Sequence, residues 1–143
     1  MIEIPITISE RGFAPEYASN GAAGMDLRCS EEIELAAGER IVAPTGIRVA
    51  IPEGFEGQVR ARSGLALRLG LGVANGPGTI DCDYRGEVGV ILINFSSDVV
   101  RLKRGERIAQ LVICPVVRAS LRPVDSLDET IRGEGGFGST GTQ

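Results

Sequence analysis

Histidine, the side chain most used for proton transfer near neutral pH, is absent from all 143 residues. A proton acceptor in this chain therefore has to be Asp, Glu, Tyr or Lys. Four internal segments and the C-terminal tail gather groups that could act together. Ala22-Ala23-Gly24-Met25-Asp26-Leu27 reads as a tight turn with a single acid. Arg62-Ser63-Gly64-Leu65-Ala66 sets a guanidinium and a hydroxyl at an expected helix start, with Ser63 as its N-cap; free N–H groups there favour an anion. Residues 75–87, NGPGTIDCDYRGE, have turn chemistry at both ends and acids between them. Residues 105–111, GERIAQL, put the amide of Gln110 on an otherwise apolar strand. The tail, residues 132–143, is RGEGGFGSTGTQ. An aromatic flanked by glycines can lie flat on a planar ligand while backbone N–H groups, Ser139 and Thr140 reach phosphate oxygens. The tail is not a P-loop, since it has neither GxxxxGK[ST] nor any lysine.

Each segment also has a plainer reading. Asp26 fits a turn residue, Arg62 a surface charge, and Gln110 a partner for a backbone group. Asp81-Cys82-Asp83 reads either as a solvated loop or as a two-acid metal site, because residues two apart on a strand point the same way. A tail this polar fits a disordered terminus.

Charge narrows the partners. The net charge is −4, and the densest basic run, residues 101–107, is broken by Glu106 and reads as a solvated turn. A polymeric nucleic acid usually requires a basic face, so none is expected, whereas a small anion held by a few arginines fits. Three widely spaced cysteines, Cys29, Cys82 and Cys114, have no CxxC pair. Without histidine they argue against zinc and for reduced, mostly buried thiols in a cytoplasmic protein. No signal-peptide pattern opens the sequence, and no apolar run approaches the about 18 residues of a membrane span.

The elements that must position these groups alternate more than they spiral. Ile2, Ile4, Ile6 and Ile8 share one face at period two, and residues 46–51 repeat the pattern before a turn at Pro52-Glu53-Gly54. Residues 87–95 (EVGVILINF) are apolar on both faces, as in a strand between layers; residues 107–117 are similar, with Pro115 marking an edge or a strand end. Turn clusters recur as in a sandwich or barrel. Residues 63–69 could form one short helix. The fold expected is all-β, in one domain.

In this order the five segments resemble the motifs of the trimeric dUTP diphosphatase family, over residues 22–140. The run from Thr79 to Glu87 and the tail RGEGGFGSTG are the most specific. The resemblance implies a β jelly roll in a homotrimer, with residues 1–131 as the domain and 132–143 as a lid over a neighbouring subunit's active site. It implies hydrolysis of dUTP to dUMP and pyrophosphate, limiting uracil in DNA and supplying dUMP for dTMP synthesis. Asp81 would deprotonate a water for in-line attack on the α-phosphorus, and Tyr84 would lie against the deoxyribose and exclude a 2′-hydroxyl. The backbone from Asn75 through Gly78, Thr79 and Ile80 would read uracil. Arg62, Ser63, Gly64 and Gln110 would bind phosphates, and Arg132 the γ end. Phe137 would stack on uracil, while Gly138, Ser139 and Thr140 close over the triphosphate. Asp26 would act through waters near a Mg²⁺ ion held mainly by the substrate phosphates. Ala61 and Met25 depart from the family pattern, where proline and an aromatic are common. A dCTP deaminase is similar in fold and in its Arg-Ser segment, but that class carries a glutamate at its deamination centre and lacks this tail. A non-catalytic nucleotide sensor is the rival from another class, and a jelly roll without a site would leave Tyr84, Gln110 and the tail unexplained.

Overall fold

A computed structural model describes residues 2–138. Among them, twelve strands and one short helix follow one another along the chain, in the all-β jelly roll expected. Strand β1 (Ile6–Ile8) pairs with β6 (Ile47–Val49), and β4 (Ile33–Leu35) with β11 (Val100–Leu102). Strands β5 (Arg40–Pro44), β10 (Gly89–Asn94) and β8 (Leu71–Val73) make a three-stranded sheet. The largest sheet runs β2 (Glu16–Tyr17), β3 (Met25–Arg28), β12 (Arg107–Pro115), β7 (Phe55–Arg60), β9 (Gly78–Ile80). The paired strands are antiparallel throughout.

Alternation explains which side chains enter the core. β4, β6, β9 and β11 each bury the first and third residue and expose the second. Leu27, Leu35, Ile47, Leu71, Leu92, Ile108 and Leu111 are almost completely removed from solvent. Asn94, also fully buried, donates to the carbonyls of Leu35, Ala36 and Asp98 and accepts from the Ser96 N–H. It thereby satisfies backbone groups where β10 ends.

The isoleucine stripe does form a strand, β1, but lies largely at the surface: Ile2, Ile6 and Ile8 are 40–45% exposed, and Ile4 packs partly on the core. Strand pairing starts at Ile6 because Pro5 has no N–H to donate, although its carbonyl accepts from Ala50. Pro115 is a strand end, one of the two places expected for it, and the strand it closes, β12, is central in its sheet. One expectation needs correcting here, that of mostly buried thiols. Of the thiols, only Cys29 is buried; Cys82 and Cys114 are half-buried. Burial pushes the Cys29 thiol above its ordinary value of 9.0.

Past β12 the described chain, residues 116–138, carries no strand or helix. Val117, Leu121, Leu127 and Ile131 stand 84–110% exposed along it. No helix among the described residues is long and apolar enough to cross a membrane.

Candidate active site

The first group of predicted residues meets across β3, β12 and β7. Asp26 pairs with Gln110, which pairs with Arg60 on its other side, so these three side chains share one sheet face. Gly24 makes room for the amide: a Cβ there would lie 2.8 Å from Gln110 Oε1. The Gln110 Nε2 donates to the Ala61 carbonyl at 3.2 Å, the backbone role considered from sequence. Asp26 is a shared counter-ion rather than a free carboxylate. Its Oδ1 is 3.1 Å from Arg62 Nε and its Oδ2 3.2 Å from Arg107 Nη1. Arg62 Nη1 also donates to the Arg107 carbonyl at 3.2 Å. Two guanidiniums against one carboxylate leave one net positive charge, which suits an anion.

Helix α1 (Ser63–Leu69) begins immediately after Arg62. The cap residue is Arg62, whose carbonyl accepts from the Leu65 and Ala66 N–H groups, so Ser63 is the first helical residue and not the N-cap. The shift leaves the exposed Ser63 hydroxyl outside any capping bond. Gly70, at φ 66°, closes the helix in the left-handed conformation.

The second group lies on and around β9. Asn75 sits in the turn before it, close enough to Gly78 that a Cβ on Gly78 would be 3.0 Å from Asn75 Nδ2. β9 stops at Ile80, so Asp81 and Asp83 belong to a turn and are not aligned by the two-residue period of a strand. Among the described residues no three His, Cys, Asp or Glu side chains are grouped to hold a metal. The turn is closed by the Tyr84 N–H on the Asp81 carbonyl at 3.1 Å. Arg85 Nη1 pins it further, donating to the Cys82 and Tyr84 carbonyls, each at 2.8 Å. The Tyr84 hydroxyl donates to the Glu87 carbonyl at 2.9 Å, and Glu87 Oε1 accepts from the Gly46 N–H. A cleft of about 160 Å³ opens here, lined by Thr79, Ile80, Asp81, Tyr84 and Glu87 among others.

Within one chain the two groups stay apart. Ile80 pairs with Gly57, which pairs with Ile113, three rows along from Gln110. Asp81 follows one row further. Four rows and the three strand spacings between β3 and β9 separate Asp26 from Asp81 by roughly 19 Å. The described part of the tail, residues 132–138, reaches neither group: Phe137 is fully exposed, and Arg132 Nε donates to the Gly135 carbonyl of its own turn. Gly138 is exposed, and Ser139 and Thr140 lie outside the described residues. Three contributors went unassigned in the sequence reading: Arg107, Glu87 and Gly86, which packs against the Tyr84 ring. Only Gly86, two residues from Tyr84, carried a signal that could have been used.

A guanidinium-rich anion site, and an acid beside a small cleft, on a jelly roll fit an enzyme acting on a phosphorylated nucleotide. The dUTPase family model matches residues 10–141. A deoxyuridine 5′-triphosphate nucleotidohydrolase of Anaeromyxobacter is 61% identical over 127 residues, covering 89% of this chain and 86% of that one. One from Cutibacterium acnes is 54% identical over 128 residues, covering 89% and 84%. Among solved structures, a mutant dUTPase of Staphylococcus bacteriophage 80alpha with dUpNHpp aligns over 99% of both chains, with TM-score 0.91 and 28% identity. A mutant dUTPase from phage phi11 of S. aureus, described with a structural Mg(II) ion, aligns over 87% of this chain and 98% of that one, with TM-score 0.81 and 25% identity. The chain belongs to the dUTPase family, and its reaction is the hydrolysis of dUTP.

Proposed function

We propose that this reaction yields dUMP and pyrophosphate through attack of an Asp81-activated water on the α-phosphorus, at sites assembled between copies of the chain in a homotrimer. The observation that carries the reading is the strand order, which sets the Asp81 cleft at β9 three strand spacings from Asp26 on β3, roughly 19 Å backbone to backbone. The base at the α-phosphorus and the arginines on the phosphates have to approach one triphosphate closely, whereas within a chain they sit in separate groups. A second copy that brings its Asp81 cleft to the first copy's arginines makes a complete site. The segment beyond β12 supports the same arrangement, since its exposed apolar side chains and Phe137 lack cover from the described residues of their own chain.

In such a site the base lies along the backbone from Asn75 to Ile80, whose N–H and C=O groups tell uracil from cytosine by donor and acceptor order. A mismatch leaves buried polar groups unpaired at about 1–3 kcal/mol each. The Tyr84 ring forms a flat wall against the deoxyribose. Arg62, the Ser63 hydroxyl, the Gly64 N–H and the Gln110 amide hold phosphates. Asp81 takes a proton from water as the water oxygen bonds to the α-phosphorus, and the bond from that phosphorus to the bridging oxygen breaks, releasing pyrophosphate. With no histidine present, a carboxylate fills the base role.

The donor set suits a Mg²⁺ ion only in part: both Asp26 oxygens already carry ion pairs, so the phosphates would hold the ion and Asp26 would reach it through water. When bound, it supplies neutralisation of the charge that builds on the leaving pyrophosphate. The phi11 relative, described with a structural Mg(II) ion, supports magnesium use. Residues 132–143 act as the lid, with Arg132 at the γ end, Phe137 on uracil, and Gly138, Ser139 and Thr140 over the phosphates. The cellular consequence is less uracil in DNA and a supply of dUMP for dTMP synthesis, in the cytoplasm.

The experiment is product analysis of dUTP, dCTP, dTTP and UTP with Mg²⁺ in ¹⁸O-labelled water. Selective conversion of dUTP with label in dUMP is expected. Label in pyrophosphate would refute attack at the α-phosphorus, and conversion of dCTP to a uracil nucleotide would place the chain with the deaminases.

A further inference from the structure

β12 carries one irregularity. Its pairs with β3 run Leu111 with Met25, Gln110 with Asp26 and Ala109 with Leu27, and then jump to Arg107 with Arg28. The residue passed over is Ile108, the extra member of a β-bulge. In a regular ladder Arg107 would stand opposite Cys29, which is fully buried, and would point into the core. The bulge moves Arg107 opposite Arg28, onto the face that holds Asp26 and Gln110, while Ile108 and Ala109 are both buried. Bulges commonly re-aim a side chain beside an active site. Arg28 does not compete for the acid, since its Nη1 donates to the Gly105 carbonyl at 2.8 Å.

Arg107 thereby holds both other members of the cluster. Its guanidinium is on Asp26 Oδ2, and its carbonyl accepts from Arg62. Resting on the phosphate role of Arg62 proposed above, we propose that Arg107 is a positioning residue for triphosphate binding. It keeps Asp26 in place and charge-balanced when Arg62 turns from that carboxylate to the phosphates. Without Arg107, the departure of Arg62 would leave a carboxylate, 15% exposed, unpaired beside an incoming polyanion. With it, Asp26 keeps one ion pair in either state.

The test is Arg107→Gln, with Arg107→Lys as the conservative variant. Arg107 is nearly half exposed, so both are expected to fold, as a thermal melt would verify. Arg107→Gln should raise KM for dUTP about tenfold, the loss of one charge-assisted hydrogen bond, with kcat changed less than about twofold. Calorimetric dUMP affinity should stay unchanged, and Arg107→Lys should recover most of the KM. Adding Arg107→Gln to Asp26→Asn should cost nothing further, whereas mere long-range attraction by the Arg107 charge would survive in that background. A KM within about twofold of the starting protein would overturn the proposal, as would equal losses for dUMP and dUTP or full additivity with Asp26→Asn. Arg62→Gln separates the two levels. If it too leaves KM unmoved, the phosphate reading fails; if it weakens dUTP while Arg107→Gln does not, only the role of Arg107 fails.

Discussion

Gly86→Ala is a substitution outside the proposed chemistry that should change substrate choice. A Cβ on Gly86 would lie 2.8 Å from Tyr84 Cε2 and would overlap the ring carbon bearing the hydroxyl, and the hydroxyl itself. The ring therefore has to leave its place. Its one hydrogen-bonded anchor among the described residues is the hydroxyl's bond to the Glu87 carbonyl at 2.9 Å, and the residue is 45% exposed. Losing that solvent-accessible bond costs about 1 kcal/mol or less, which in a chain of this size lowers the melting temperature by no more than about 4 °C. Selectivity should suffer more. A ribose 2′-hydroxyl pressed against an apolar wall goes unpaired, at about 1–3 kcal/mol. Moving the wall should thus narrow the dUTP-over-UTP ratio of kcat/KM about ten- to a hundredfold, mostly by admitting UTP. The assay is initial rates of pyrophosphate release from both nucleotides, with Tyr84→Ala alongside. A ratio in Gly86→Ala within about twofold of the starting protein would refute the wall assignment for Tyr84, because the ring cannot have stayed where it is.

Asp81→Asn should fold and bind nucleotide yet lose turnover by at least about a hundredfold; near-normal rates would remove Asp81 from the base role. Co-refolded in equal amounts with Arg62→Gln copies, it should recover about one quarter of the starting activity through mixed sites, and no recovery would argue against sites shared between copies. Deleting residues 132–143 should leave the melt nearly unchanged, because the described part of that segment is exposed, while removing most activity; an active truncated protein would disprove the lid. The raised Cys29 pKa gives a pH dependence: the thiol stays protonated in the fold while an unfolded chain ionises near 9.0. Stability from this group is therefore full below that pH and is lost as pH rises through the folded value. Urea melts should show a steeper alkaline decline than in Cys29→Ala, and Cys29 should be the last thiol alkylated.

Much of this was legible in residue order because short-range physics decided it. Ile47, Arg48 and Val49 alternate and so do their exposures; Pro52-Glu53-Gly54 turns where its Gly54, at φ 85°, requires; the seven-residue helix forms where it was placed. The failures are long-range. Nothing local distinguishes Asp26 and Asp81 as members of one pocket from residues at opposite ends of one sheet, since the order β3-β12-β7-β9 is set by pairing between distant segments. Arg107 was passed over because strict alternation along β12 says nothing of a residue inserted at Ile108. The isoleucine stripe marks a related limit: periodicity reports that a face is apolar, not whether it is covered.

The arm beyond β12 has a consequence for measurement. Val117, Leu121, Leu127 and Ile131 present their side chains to water on backbone that joins no sheet. Covering them by another copy would release free energy that no contact among the described residues supplies, so folding and association become one linked equilibrium. The midpoint of thermal unfolding would then not be a constant of the molecule: it would climb with protein concentration by mass action. Dilution alone would weaken the chain's hold on its own fold, and activity per molecule would fall with it.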